Sequence, residues 1–329
     1  MSVLSSALIR RRYEDVKTAL IIASGIIALA VCARTIVRAD DRGPAFTVGI
    51  LRRDAIIFPF ATYDGKKWHT DWPEARDTFD VPVDLRAVPT RWWGDAGPRE
   101  AWQAWVDDEP PQTLTVRQPD WFPAFCLRAI GLRTDYHSRR PVPPLPTRPF
   151  PTDGLAVSPP QPIERIRVLA TGDPLSAQLA PVVLDTFNQT ERKIDRQEHH
   201  PIRQEDRERT APVIEAIYAS ADAGLVYVEA AREYREDGDP AKACRVTAFG
   251  GGWFARRGDR RYTPLQTYVT VLNCDRDGAS YMLPLGIVRL SDRTYWLSQF
   301  SGWDGMHFEV DEIESKSVKT VVGRFGGGC

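Results

Sequence analysis

Three side chains that can exchange protons stand at alternate positions late in the chain: His307, Glu309 and Asp311. Successive side chains of a β-strand point to opposite faces, so a strand over residues 306–314 would place all three on one face. Paired carboxylates cleave glycosidic bonds, one as the acid and the other as the base or nucleophile. With Asp304 nearby, we nominate this cluster for acid–base catalysis. The structural alternative is a solvated strand face that protects a sheet edge.

Tryptophan is the most unusual residue type in the sequence, with ten residues. Aromatic rings offer flat faces to sugars and peptides, and they also fill ordinary protein cores. Trp92 and Trp93 precede a glycine, and Trp303 lies in the turn-like segment Ser301–Gly305. We therefore predict that these three side chains are exposed and bind a ligand, and that most of the other tryptophans lie in the core.

Asn273, Asp275 and Asp277 have the spacing of the oxygen ligands in a calcium loop, with Gly278 at the sharp turn. The twelfth position, where such a loop carries a bidentate glutamate, is Pro284. A hairpin turn built on Asp-Gly is the favoured interpretation, so no metal and no other cofactor is predicted. The sequence also lacks the common signatures of serine hydrolases, phosphate loops, dinucleotide-binding proteins and zinc proteases.

Two functions of different class fit these residues, and we favour the first over the second. The first is a non-catalytic binding protein of the cell envelope or extracellular space, whose aromatic turns hold a glycan or a protein. The second is an exported hydrolase of unfamiliar type that uses the acidic cluster between Asp304 and Asp311. Exposed tryptophans would favour binding, and a deep pocket that collects His307 and the carboxylates would favour catalysis. The net charge of -1 provides no basic surface for nucleic acid.

The beginning of the chain is typical of an exported protein. Residues 18–33 form a weakly polar to apolar run, and Arg34 ends it before the roughly 20 residues that a membrane-spanning helix needs. The run follows four basic residues: Arg10, Arg11, Arg12 and Lys17. We interpret residues 1–39 as a signal peptide, which predicts a periplasmic or extracellular protein. If this segment is not cleaved, it anchors the protein, and it is the only membrane contact that we predict.

A proline-rich run over residues 141–151, with further prolines up to residue 162, favours an extended chain that does not join a sheet. We predict a linker or a surface strap over residues 138–162. It separates a small β-rich region, residues 40–137, from a larger domain, residues 163–329. The strands predicted in the small region lie near residues 46–52, 55–63, 81–88, 113–118 and 125–132.

The larger domain combines helical and strand patterns. The apolar spacing predicts one helix over residues 174–194 and a second over residues 205–220. Short connections then separate seven apolar runs, and neighbouring strands joined so closely must pair antiparallel. These strands are predicted near residues 225–233, 245–256, 261–274, 281–290, 294–302, 306–314 and 318–325. We therefore predict an α+β fold, an antiparallel meander of about seven strands packed with two helices, with a β-propeller-like all-β fold as the alternative.

After the predicted signal peptide the chain holds four cysteines, Cys126, Cys244, Cys274 and Cys329, and this even number suits an oxidising compartment. In a hairpin centred on residue 259, opposed residues have numbers that sum to 518, as those of Cys244 and Cys274 do. Opposed Cα atoms lie roughly 4.5 to 5.5 Å apart, within the reach of a disulfide. This pairing leaves Cys126 to bond with Cys329.

We expect the mature protein to begin near Asp40, because Ala39 offers the small residue that precedes a signal-peptide cleavage site. N-terminal sequencing of the protein from its native host measures this position directly. Recovery of an intact Met1 from the cytosolic fraction would contradict the prediction.

Overall fold

Strands dominate the chain, because its apolar residues come in short runs that turn-forming residues separate. The computed structural model describes residues 44–74, 84–88, 101–106, 109–141, 151–170, 172–194, 203–236, 239, 241–258 and 261–329. Within these residues lie seventeen β-strands and two α-helices, of which only one is longer than two turns. The protein is therefore mostly β, which confirms the predicted β-rich character.

The strands before the first helix are β1 (Phe46–Arg52), β2 (Ile56–Tyr63), β3 (Trp68–His69), β4 (Trp102–Val106), β5 (Gln112–Leu114), β6 (Val116–Ala124), β7 (Leu127–Thr134), β8 (Thr152–Ser158) and β9 (Arg167–Val168). The helices are α1 (Pro174–Ile194) and α2 (Gln204–Arg209). The strands that follow are β10 (Val213–Ala219), β11 (Leu225–Arg235), β12 (Cys244–Arg257), β13 (Arg261–Leu272), β14 (Tyr281–Leu290), β15 (Arg293–Ser301), β16 (Gly305–Ile313) and β17 (Val318–Gly328).

These strands form three antiparallel sheets. The first, which we call the large sheet, has the order β5-β4-β8-β1-β2-β7-β6, with β3 beside β2. The second, the helix-backed sheet, has the order β13-β12-β11-β10-β9. The third, the middle sheet, has the order β14-β15-β16-β17.

The middle sheet lies between the other two sheets and is buried on both faces. On one face, Phe308 packs against Phe58 of the large sheet, with ring centroids 5.3 Å apart. On the other face, Trp296 packs against Trp253 of the helix-backed sheet, with ring centroids 4.8 Å apart. The far face of the helix-backed sheet is covered by α1, whose Leu179 is fully buried against it. The described part of residues 43–329 is thus a stack of three sheets and one helix.

All seven strands predicted in the larger domain are present, each within three residues of its predicted limits. The prediction of one continuous meander is wrong, because β13 and β14 do not pair and the chain passes there from the helix-backed sheet to the middle sheet. The physical reason is burial. The strands of the middle sheet carry large apolar side chains on both faces, so a layer must pack against each face. If β14 paired with β13, these strands would only extend the helix-backed sheet sideways, and that sheet would cover neither face.

The predicted second helix, residues 205–220, is correct only at its start. The short helix α2 ends at Arg209, and β10 then pairs with β11. Pro212 separates the two elements, and β-branched residues such as Val213 and Ile217 favour a strand over a helix. Pairing with a long neighbouring strand therefore overrides the helical spacing in this segment.

The predicted linker over residues 138–162 contains a central strand of the large sheet. β8 pairs with β1 on one side and with β4 on the other. None of its seven residues is a proline, so each can donate a ladder hydrogen bond. Residues 142–150 and the predicted signal peptide lie outside the described residues, and residues 43–329 form one compact unit. Among the helices that the structure describes, none is both long and apolar enough to cross a membrane.

Both predicted disulfides are present. Cys126 bonds to Cys329 and Cys244 bonds to Cys274, with Cα atoms 4.9 and 5.9 Å apart. The predicted register holds only near the turn, where Arg257 is paired with Arg261. A bulge at Leu265 of β13, opposite Trp253 and Phe254, shifts the rest by one, and both cysteines lie beyond the last pair of β12 with β13. The pairing is thus confirmed, while the register behind it is wrong by one residue.

Replacing Cys126 and Cys329 by alanine should destabilise the protein more than replacing Cys244 and Cys274. The two bridges close loops of 203 and 30 residues, for which the loop-entropy relation gives roughly 5 and roughly 4 kcal/mol. Equilibrium unfolding in urea of the two double variants measures both losses. A larger loss in the Cys244→Ala/Cys274→Ala variant would contradict the loop-length argument.

Candidate functional site

The nominated cluster lies in a cleft of about 290 Å³ between the middle sheet and the helix-backed sheet. His307, Glu309 and Asp311 all line this cleft from β16, so the predicted common face is correct. Phe300 lines it from the neighbouring strand β15, and Thr320 lines it from β17. The cleft therefore joins three proton-exchanging groups, and the structure brings them together as the alternation along the strand predicts.

Cross-strand neighbours extend each of these residues into a row on the cleft face, since opposed residues of an antiparallel pair share a face. The three rows are Phe300–His307–Phe325, Ser298–Glu309–Gly323 and Trp296–Asp311–Thr320. The pairing of β15 with β16 is regular throughout, which keeps the rows evenly spaced. Along the cleft face, the first row is thus aromatic, the second row is polar, and the third row begins at the buried Trp296.

Asp311 is the most deeply placed of the three groups, with only 2% of its surface exposed. Its Oδ1 accepts a hydrogen bond from Thr320 Oγ1 at 2.7 Å. Burial raises the pKa of Asp311 to about 7, and the negative charge of Glu309 adds to this effect. A carboxyl group with this pKa holds a proton near neutral pH and can donate it.

Glu309 and His307 form a pair at the more open part of the cleft. Nε2 of His307 lies 3.3 Å from Oε1 of Glu309. The imidazole ring also stacks on Phe300, with centroids 5.0 Å apart and an angle of 10° between the planes. The stacked ring fixes the position of Nε2, so His307 orients the carboxylate while leaving it partly accessible to solvent.

The facing wall carries two tyrosines of the helix-backed sheet. The hydroxyl groups of Tyr227 and Tyr268 lie 3.2 Å apart. Burial raises the pKa of Tyr268 to about 12 and raises that of Tyr227 well above its ordinary value, so both remain protonated hydrogen-bond donors. Gly251 makes this arrangement possible, because a β-carbon there would collide with the Tyr227 hydroxyl. The glycine run at residues 250–252 therefore marks a close approach of this side chain to the backbone.

Glu229 is a second buried carboxyl group beside this wall, and the motif analysis does not identify it. Its Oε1 accepts the backbone N–H of Met282 at 2.7 Å, which links the helix-backed sheet to the first strand of the middle sheet. Burial raises the pKa of Glu229 to about 7. The one sequence signal is a charged residue inside the apolar run of residues 225–231 that begins β11.

Ser298 lies directly opposite Glu309 on β15 and is fully buried. Its hydroxyl has no hydrogen-bond partner among the described residues. On the other side of Glu309, Gly323 is exposed, and a β-carbon there would approach only Thr320, at 3.9 Å. Glu309 thus lies between the buried hydroxyl of Ser298, which has no described hydrogen-bond partner, and the open space over Gly323.

Of the three predicted binding tryptophans, Trp303 alone lies within the described residues, and it does not line the cleft. Trp303 lies in the turn between β15 and β16 with 60% of its surface exposed, so its predicted exposure is confirmed. Trp92 and Trp93 lie outside the described residues. The role of all three in binding stays a prediction.

The weak calcium candidate, residues 273–277, forms a turn whose polar groups make hydrogen bonds with other groups of the protein. The carbonyl of Asn273 accepts the N–H of Arg276, and Asp275 Oδ1 accepts the N–H of Asp277. The guanidinium of Arg276 binds both carboxylate oxygens of Glu215 at 2.8 Å. Within the described ranges, no three His, Cys, Asp or Glu side chains are arranged to hold a metal ion.

Comparisons with known proteins add no identity to this geometry. No protein-family model matches the chain, and neither the curated proteins nor the solved structures include a similar one.

Asp311→Asn should stabilise the protein, and the gain should grow from about pH 4 to about pH 7. The folded protein keeps the Asp311 proton up to about pH 7, whereas the unfolded chain releases it near 3.8, so rising pH costs stability over this interval. The full gain is on the order of 4 kcal/mol and levels off above the folded pKa. Urea unfolding at several pH values measures it.

The exposed Glu314 at the end of the same strand supplies the control, since Glu314→Gln should show no comparable gain. A stability difference between Asp311→Asn and the unaltered protein that is constant over this pH range would contradict the prediction.

Proposed function

We propose that the protein is an exported hydrolase in which Asp311 is the general acid and Glu309 the general base. One observation carries the proposal: a buried carboxyl group with a pKa of about 7 lies beside a more accessible carboxylate in a cleft between two sheets. Two neighbouring acids whose environments separate their protonation behaviour are the usual basis for assigning acid and base roles.

The reaction consumes one water molecule. Glu309 accepts a proton from the water, whose oxygen forms a bond to the electrophilic atom of the substrate. The bond to the leaving oxygen breaks, its electron pair stays on that oxygen, and Asp311 donates the proton that completes the leaving hydroxyl. Proton transfer from Glu309 to Asp311 through solvent then restores the starting state.

The surrounding residues supply positioning. His307 holds Glu309 through its Nε2, and its ring is held in turn by Phe300. Tyr268 and Gln266 line the opposite wall and offer hydrogen bonds to a bound substrate. Binding from one wall and chemistry from the other would place the scissile bond between the sheets.

Export to the periplasm or the extracellular space is part of this proposal. The two disulfides are typical of an oxidising compartment, which lies outside the bacterial or eukaryotic cytosol. The basic and apolar segments at the beginning of the chain point the same way.

A non-catalytic binding role is the second candidate, and the exposure of Trp303 favours it. A tryptophan with 60% of its surface in solvent, at the tip of a turn, offers a ring face to a glycan or a protein. In this case ligand capture depends on Trp303, and the cleft carboxyl groups are dispensable.

Glu309→Gln and Asp311→Asn should each lower turnover by roughly 100-fold or more, the usual contribution of general acid–base catalysis. The measurement is hydrolysis of a panel of 4-nitrophenyl glycosides, esters and phosphates. Turnover of the unaltered protein should also fall above about pH 7, because Asp311 then loses the proton that it must donate.

Glu312→Gln is the matched control, since Glu312 lies on the same strand but on the opposite face and pairs with Arg293 at 3.6 Å. The control should keep full turnover. A turnover that survives both cleft substitutions would contradict the proposal, and so would the absence of turnover across the whole panel.

A further inference from the structure

We propose that the substrate is a neutral glycan, cleaved between Asp311 and Glu309, with an adjoining sugar unit resting on the exposed ring of Phe325. This inference rests on the proposed hydrolase function and adds the chemical class of the substrate. Four features of the cleft carry it: its charge, the spacing of its carboxyl groups, its aromatic rim and the open space beside Glu309.

The charge of the cleft disfavours anionic substrates. Its described lining contains no lysine and no arginine, whereas phosphate and carboxylate groups are normally held by such cations. The lining also does not present two bare carboxylates to an organic cation, because Glu309 lies 3.3 Å from His307 and Asp311 is largely protonated below neutral pH. A cleft that offers hydrogen bonds but attracts neither anions nor cations suits a neutral, polyhydroxylated ligand.

The spacing of the two carboxyl groups suits a glycosidic bond. Glu309 and Asp311 are two residues apart on a strand that pairs regularly with β15, which places their Cα atoms about 6.6 Å apart. The two carboxyl groups that flank a glycosidic bond lie roughly 5 to 9.5 Å apart, an interval that side chains at alternate positions of one strand can span.

Because Glu309 is assigned as the base that activates water and not as a nucleophile, the chemistry balances as an inverting hydrolysis. The water oxygen bonds to the anomeric carbon on the face opposite the leaving group and gives a proton to Glu309. The bond from the anomeric carbon to the glycosidic oxygen breaks, and that oxygen takes the proton of Asp311. The products are two sugars with free hydroxyl groups.

The aromatic row extends the cleft outward. Phe325 is the cross-strand neighbour of His307, which stacks on Phe300, so the three rings share one face of the middle sheet. With 55% of its surface exposed, Phe325 is a large apolar side chain at the rim of a polar cleft. Its ring lies over Gly328, where a β-carbon would come within 3.1 Å of Cζ. Flat exposed rings of this kind pack against the apolar faces of sugar rings.

The neighbours of Glu309 provide both space and an unused hydrogen-bonding group. Gly323 leaves the surface beside Glu309 open, and its backbone is not in the left-handed region, so a side chain is conformationally allowed there. Ser298, on the opposite side, presents a fully buried hydroxyl without a partner in the described residues. A sugar hydroxyl placed over Gly323 would occupy this space.

The test uses neutral oligosaccharides of increasing length, cello-, malto- and chito-oligosaccharides, with sulfated and phosphorylated sugars for comparison. We expect turnover of a neutral series, with the anomeric configuration of the product inverted in its NMR spectrum. Phe325→Ala should lower kcat/KM for a hexasaccharide by roughly tenfold and leave that for a disaccharide glycoside nearly unchanged. Trp121→Ala, which removes an exposed ring of the large sheet, should change neither.

Gly323→Val should block the space beside Glu309 and lower turnover at least tenfold, while Lys319→Val places the same side chain at an exposed position of β17 outside the cleft and should have little effect. Unfolding curves of both variants separate this block from misfolding.

Failure of the substrate class is distinguishable from failure of the hydrolase function. Turnover of esters or phosphates that requires Glu309 and Asp311, without turnover of any neutral glycan, would overturn the glycan assignment and leave the hydrolase standing. A retained anomeric configuration, or equal loss on short and long glycans in Phe325→Ala, would overturn the geometry proposed here. No turnover of any compound would overturn both.

Discussion

The burial of the middle sheet on both faces is the constraint on which the rest of the structure depends. Phe308 must be covered on one side and Trp296 on the other, so the large sheet and the helix-backed sheet are held apart by the thickness of this layer. The same strand that supplies Phe308 to one interface turns His307, Glu309 and Asp311 toward the other. A polar cleft therefore sits inside an interface that is otherwise apolar.

The polar groups of the cleft owe their chemistry to this position. The layer above Asp311 removes water, which is what shifts its proton affinity, and Thr320 supplies only one hydrogen bond in exchange. The facing wall has a requirement of its own, which Gly251 meets. Because Gly251 has no side chain, the Tyr227 hydroxyl has room to lie beside that of Tyr268. The cleft costs stability on both walls, and such costs concentrate at functional sites.

Local patterns predict the parts of this site that lie on one strand, and packing supplies the rest. The alternation of residues 307–311 is enough to place three groups on one face, and turn residues locate every strand from β11 to β17 within a few residues. Tyr227 and Tyr268 join the cleft from distant parts of the chain, with Glu229 buried beside them, and no spacing rule connects these residues to Asp311. The bulge at Leu265 shifts the register of the hairpin, and Pro264 beside it is a local signal that counting from the turn does not use.

The order of the three layers along the chain has a consequence for how the protein reaches its native state. The strands of the middle sheet follow the described strands of the large sheet and of the helix-backed sheet in sequence. They nevertheless form the layer that covers an apolar face of each of these two sheets. Until β14 to β17 arrive, the large sheet and the helix-backed sheet each present an uncovered apolar face, and exposed faces of this kind promote aggregation. A partly folded chain therefore stays prone to aggregation for as long as the last four strands are delayed.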